Sequence, residues 1–191
     1  MNYEGNIPTI YSSLLLIFAA LISIKLFKKD HFFRNIWFLS SIIFLFLSID
    51  EFFMIHERLN SFYLFLFNKS SLAELPKFFR FWFLFYIFFG GCLCLFYSKF
   101  WYSLYPKYRR LLLYPILIYS LGGLGGEILD FSLVKFFELD RTNIIHQTIY
   151  LIEEILEILG IILLTYNLLI ILNLSSVNKI YLAKNKNIIY K

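Results

Sequence analysis

Charge is what this chain has least of. Asp, Glu, Lys and Arg together make 16% of its 191 residues, where soluble domains carry about a quarter. Cysteine is nearly missing too: only Cys92 and Cys94, both inside an apolar run. A lone C-x-C without further partners supplies neither a disulfide framework nor a zinc site, so ordinary helix packing accounts for it. There is no phosphate-binding glycine loop, no dinucleotide fingerprint and no Gly-x-Ser-x-Gly, which removes the common nucleotide and serine-hydrolase chemistries. Ser41, Ser48 and Ser120 lie in apolar runs, where serine usually serves as a hydrogen-bonding residue rather than a nucleophile. The start of the chain has no basic n-region, and Lys25, Lys28 and Lys29 follow the first apolar stretch, which predicts a retained span rather than a cleaved signal.

What is present is apolar surface. The chain is 60% hydrophobic and 21% aromatic, with mean hydropathy +0.70. Five stretches, roughly 8–27, 35–57, 78–100, 111–134 and 142–174, are long enough to cross a hydrocarbon core of about 30 Å as helices. The expected fold is therefore all-α: a polytopic membrane bundle of five transmembrane helices over 1–174, with a basic cytoplasmic tail, 175–191. The net charge of +5 does not form a nucleic-acid patch, because the basic residues punctuate the apolar runs. Counting Lys and Arg gives 12 in the loops after the first and third spans and in the tail, against 6 on the other side. By the positive-inside rule this places the N-terminus outside and the C-terminus in the cytoplasm, with the lipid bilayer as the main partner. The expected location is a cell membrane, a bacterial inner membrane, crossed several times.

Acids sit inside these runs. Asp50, Glu51, His56 and Glu57 lie in the second, Glu127 and Asp130 in the fourth, and His146, Glu153, Glu154 and Glu157 in the fifth. An ionised carboxylate at mid-bilayer costs about 2.5–3.5 kcal/mol, so eight uncompensated ones would cost about 20–28 kcal/mol. They must be protonated, paired, hydrated or bound to a cation. With the stated orientation all three groups fall at one level, on the extracytoplasmic side. His146, Tyr150, Glu153 and Glu157 share one helix face, and Asp50 and Glu57, seven apart, share another. Gly122 and Gly126, beside Glu127, favour close helix approach, and Gly160 offers the same below Glu157. The segment from Arg58 to Lys77 carries an apolar patch, Phe62 to Phe67, which suits a surface loop or an interfacial piece lidding the site.

Carboxylates and imidazoles are ligands for a divalent metal ion, and His56, His146, Asp50, Glu51, Glu57, Glu127, Glu153 and Glu157 are the candidate donors. No Glu-x-x-His occurs, which sets aside the di-iron bundle class. Proton handling without metal, and structural pairing among the acids, histidines, Arg58, Arg141 and Tyr150, stand beside the metal reading.

Ser48-Ile49-Asp50-Glu51, His56-Glu57, Gly-Gly-Glu127 and Glu153-Glu154-x-x-Glu157-x-x-Gly160 resemble the pattern of a family of uncharacterised bacterial multipass membrane proteins. These carry an Asp-Glu…His-Glu helix and a late Glu-Glu-x-x-Glu helix. The resemblance covers about half of the chain and implies an integral membrane protein without an assigned activity. Membrane ceramidase-like hydrolases, with three zinc-binding histidines, match poorly, since only two histidines fall in spans. The leading expectation is a metal-dependent membrane enzyme acting on a lipid or lipid-linked substrate, with Glu127, Glu153 or Glu157 as catalytic base. The alternatives are a proton- or cation-coupled transporter component, or a non-catalytic subunit or assembly factor.

Overall fold

The computed structural model describes residues 7–68, 82–137 and 144–173; within them the side chains of 56, 57, 60, 61, 82, 83, 85, 127, 130–137 and 146 fall outside the description. The described residues form six helices: α1 Ile7–Lys29, α2 Arg34–Phe53, α3 Ile55–Leu66, α4 Trp82–Ser103, α5 Pro106–Phe137 and α6 Ile144–Asn173. The expected tail, 175–191, lies outside the described residues.

Two expectations are met only in part. Of the five crossings, three of the described helices are long and apolar enough to span a membrane: α1, α2 and the Gln147–Asn173 part of α6. The described α5 is less apolar, because Lys107, Arg109 and Arg110 open it. The second span also stops at Phe53 rather than at Glu57. Met54 adopts a left-handed backbone (φ 52°, ψ 45°), which ends α2 and starts α3 in a new direction. The single helical register that would set Asp50 and Glu57 on one face is therefore broken between them.

One half of the bundle is packed by apolar side chains from five helices. Ala19, Ile22 and Leu26 of α1 meet Ile36 and Trp37 of α2, Phe100 of α4, Leu112 of α5, and Leu164, Leu168 and Ile171 of α6, with Leu104 at the α4–α5 junction. These are the C-terminal parts of α1, α4 and α6 and the N-terminal parts of α2 and α5, so the five long helices alternate in direction. Trp37 and Phe100 stack edge to face, centroids 5.2 Å apart, a geometry that favours aromatic pairs. The same half carries Lys25, Lys28, Lys29, Arg34, Lys99, Lys107, Arg109 and Arg110.

Local polar groups close the turns at this end. Asp30, fully buried between α1 and α2, accepts hydrogen bonds from the Phe32 N–H (2.9 Å), the Phe33 N–H (3.2 Å) and Trp37 Nε1 (2.7 Å). It thus satisfies amides of the turn that leads into α2. Lys29 Nζ donates to the Leu172 carbonyl (2.9 Å), a cation at the C-terminal end of α6. Arg109 donates to the carbonyls of Leu104 and Tyr102, each at 2.9 Å, capping α4 where Pro106 begins α5.

Candidate functional site

The opposite half of the bundle holds the acids. α1 and α2 are joined there by hydroxyls: Ser13 Oγ lies 2.9 Å from Ser48 Oγ, and each donates within reach of the other's backbone carbonyl at 3.0 Å. Small hydroxylated residues let helices approach and satisfy polar atoms without water. One residue earlier on α1, Ser12 Oγ donates to Glu51 Oε1 at 2.9 Å. Ser41 donates to the Phe38 carbonyl of its own helix. Ser48 and Ser41 are thus hydrogen-bonding residues, as expected.

Asp50 is buried, at 6% exposure, and takes a hydrogen bond from the Tyr86 hydroxyl of α4. Tyr63 of α3, also buried, stands within electrostatic reach of Tyr86. Tyr119 of α5 lies within electrostatic reach of Glu157, Glu51, Asp50 and Tyr86. Acids of α2 and α6 therefore gather around phenols of α4 and α5. Sequence reading missed Tyr63, Tyr86, Tyr119 and Ser12. Their signal was a hydroxyl inside an apolar run, which aromatic-rich spans make easy to overlook.

Glu153 and Glu157 owe their positions to missing side chains on α5. A Cβ on Gly122 would stand 2.8 Å from Glu157 Cγ, 2.9 Å from its backbone N and 3.0 Å from the Glu153 carbonyl. On Gly126 it would meet the Glu153 carboxyl carbon at 2.5 Å, and on Gly123 it would meet Glu157 Oε1 at 2.7 Å. Three residues beyond Glu157 the roles swap: Gly160 of α6 would place a Cβ 2.7 Å from the Tyr119 amide nitrogen. The two helices run antiparallel in one register, with Tyr119 against Gly160, Gly122 against Glu157 and Gly126 against Glu153. The predicted close approach at Gly122, Gly126 and Gly160 is thus present, and acidic side chains fill the glycine groove. Glu154 is half-buried.

Of the predicted donors, the structure sets Asp50, Glu51 and Glu157 within electrostatic reach of Tyr119, with Glu153 one turn from Glu157 on the same α6 face. The side chains of His56, Glu57, Glu127, Asp130 and His146 lie outside the described residues. Among the described residues no group of three or more His, Cys, Asp or Glu is placed to hold a metal ion, so the metal expectation gains no support from the described side chains. What the arrangement offers chemically is a set of carboxylates with phenol and serine hydroxyls to donate hydrogen bonds to them. Alongside it a groove of about 260 Å³ opens on the outer face of α1 and α2, walled by Ile10, Leu14, Ile17, Ile49, Phe52 and Phe53 and floored by Ser13 and Ser48.

No curated protein and no solved structure matches the chain. Residues 3–171 match a family described as a domain of unknown function, DUF8692. That match takes in α1 to α5 and nearly all of α6, including every residue of the acid–phenol cluster, so the chain belongs to the DUF8692 family.

Proposed function

We propose that this protein is a multipass membrane protein of the cell membrane whose acid–phenol cluster exchanges protons, and that it works as a proton- or cation-coupled transport component. The observation that carries this reading is the gathering of Asp50, Glu51 and Glu157 about Tyr86 and Tyr119 within a largely apolar bundle. Protonatable side chains inside spans are the parts from which proton relays are built. A second observation favours transport over a site confined to one side. In the basic half, Ser40 Oγ and Tyr97 Oη pair at 2.9 Å. The Thr165 hydroxyl there is buried with no partner among the described residues. A buried orphan hydroxyl is a place for an internal water, so polar atoms continue below the acids.

In this reading α1, α2, α4, α5 and α6 all cross the bilayer, supported by their alternating direction and by the basic residues collected at one end. That end faces the cytoplasm, the N-terminus lies outside, and the acids lie toward the extracytoplasmic side. The metal-dependent enzyme acting on a lipid rests on His56 and His146, and a stoichiometric metal in purified protein, lost in His146→Ala, would favour it instead. The test of proton exchange is flux. Proteoliposomes with an imposed pH gradient are expected to acidify faster than protein-free vesicles, with the rate falling at least tenfold in Glu157→Gln. Equal rates in wild type, variant and empty vesicles would remove the proposal.

A further inference from the structure

Helix α3 has twelve residues, about 18 Å at 1.5 Å per residue, too short to cross a hydrocarbon core of about 30 Å. It begins across the left-handed Met54, directly after α2 and at the end of the bundle that holds Asp50 and Glu51. One edge carries Phe62, Phe65 and Leu66, which are 54%, 83% and 59% exposed. At 100° per residue these three fall within a stripe about 100° wide. Tyr63, on the neighbouring edge, is buried beside Tyr86, which in turn holds Asp50. The last turn of α2, a helix long and apolar enough to cross a membrane, leaves Phe52 and Phe53 exposed as well, so exposed apolar side chains flank the Met54 break on both sides.

We propose that α3 lies in the bilayer interface beside the site, with Phe62, Phe65 and Leu66 among the lipid acyl chains, and that Tyr63 covers Asp50 and Tyr86 from water. The occupant is lipid because the exposed stripe follows the exposed apolar end of α2, a helix long and apolar enough to cross a membrane. Arg58, exposed one turn before Phe62, has the stem length to bring its guanidinium to headgroup phosphates. An amphipathic helix lying in the interface plane is a stable state for such a segment. The proposal rests on the membrane reading of the chain and not on proton exchange, so a failure of the flux test leaves it standing.

The test uses the full chain with Cys92→Ser and Cys94→Ser, reconstituted in phosphatidylcholine–phosphatidylglycerol vesicles. Nitroxide labels are placed singly at Phe62→Cys, Phe65→Cys and Asn68→Cys, the last exposed just past the end of α3. Oxygen is expected to relax the labels at 62 and 65 several-fold more than a water-soluble nickel chelate does, with the preference reversed at 68. Nickel access at 62 and 65 equal to that at 68 would put the stripe in water and overturn the proposal. Exclusion of both reagents there would mean that a partner protein or a second copy covers it, which overturns it too. The cover is tested by labelling with a water-soluble carbodiimide, read by mass spectrometry at Asp50. Tyr63→Ala is expected to raise labelling several-fold while Tyr63→Phe, which keeps the ring, matches wild type. Labelling that is the same in all three removes the covering role.

Discussion

Pro115 has no N–H to give to the carbonyl of Leu111, four residues back in α5. Asn167 of α6 supplies the missing donor, its Nδ2 bonding that carbonyl across the helix pair. Removing Asn167 strands a buried acceptor only while the proline is present. Asn167→Leu is therefore expected to cost about 1–3 kcal/mol in the wild-type background and distinctly less with Pro115→Ala. Denaturation of the four proteins of this cycle in detergent checks it, and equal losses in both backgrounds would separate the two residues. The glycines make a second residue-scale contrast. Gly160→Ala and Gly122→Ala push a Cβ into backbone atoms of the facing helix, so each is expected to cost about 1–3 kcal/mol. Gly126→Ala meets only the movable Glu153 side chain and is expected to cost less. Gly90→Ala, with nothing within 4 Å, is expected to gain about 0.5–1 kcal/mol from better helix propensity. Melting temperatures of the four variants give the order.

At the scale of elements, the break at Met54 decides what the second apolar run becomes. A left-handed backbone costs a side-chain-bearing residue about 1–2 kcal/mol, and glycine adopts it freely. Met54→Gly is thus expected to raise stability, and Met54→Ile to lower it, by about 1 kcal/mol or more in thermal unfolding; the same sign for both would show that the turn carries no strain. Nothing in the run of apolar and acidic residues from Asn35 to Glu57 announces this turn: no glycine, proline or asparagine marks it. The one-helix expectation was reasonable on periodicity and failed on a tertiary demand, since the turn lets α3 bring Tyr63 back beside Tyr86. By contrast, close helix approach at Gly122, Gly126 and Gly160 was legible, because small residues four apart let any partner helix come near; that α5 and α6 are each other's partners was not.

The whole molecule divides into a basic half packed with aliphatic and aromatic side chains and an acidic half lined with carboxylates and hydroxyls. That division makes an orientation testable. Single cysteines at Lys107 and Asn68, in a background lacking Cys92 and Cys94, are expected to differ toward a membrane-impermeant maleimide on intact cells, with position 68 labelled and position 107 protected until lysis. The reverse result would invert the proposed topology, and labelling of both in intact cells would end the crossing of α4.

Composition alone decided that the chain is helical and membrane-compatible, because long apolar runs with few charges have no other way to satisfy their backbone in lipid. The order of residues also placed the acids of the candidate site toward the helix ends away from the basic residues. Which side chains meet was settled only by tertiary packing. Ser12 reaches Glu51, Tyr86 reaches Asp50 and Glu157 lies across Gly122 because helix rotation and register depend on contacts between elements far apart in the chain. Periodicity within one helix says which residues share a face; it carries no information on which neighbour that face meets.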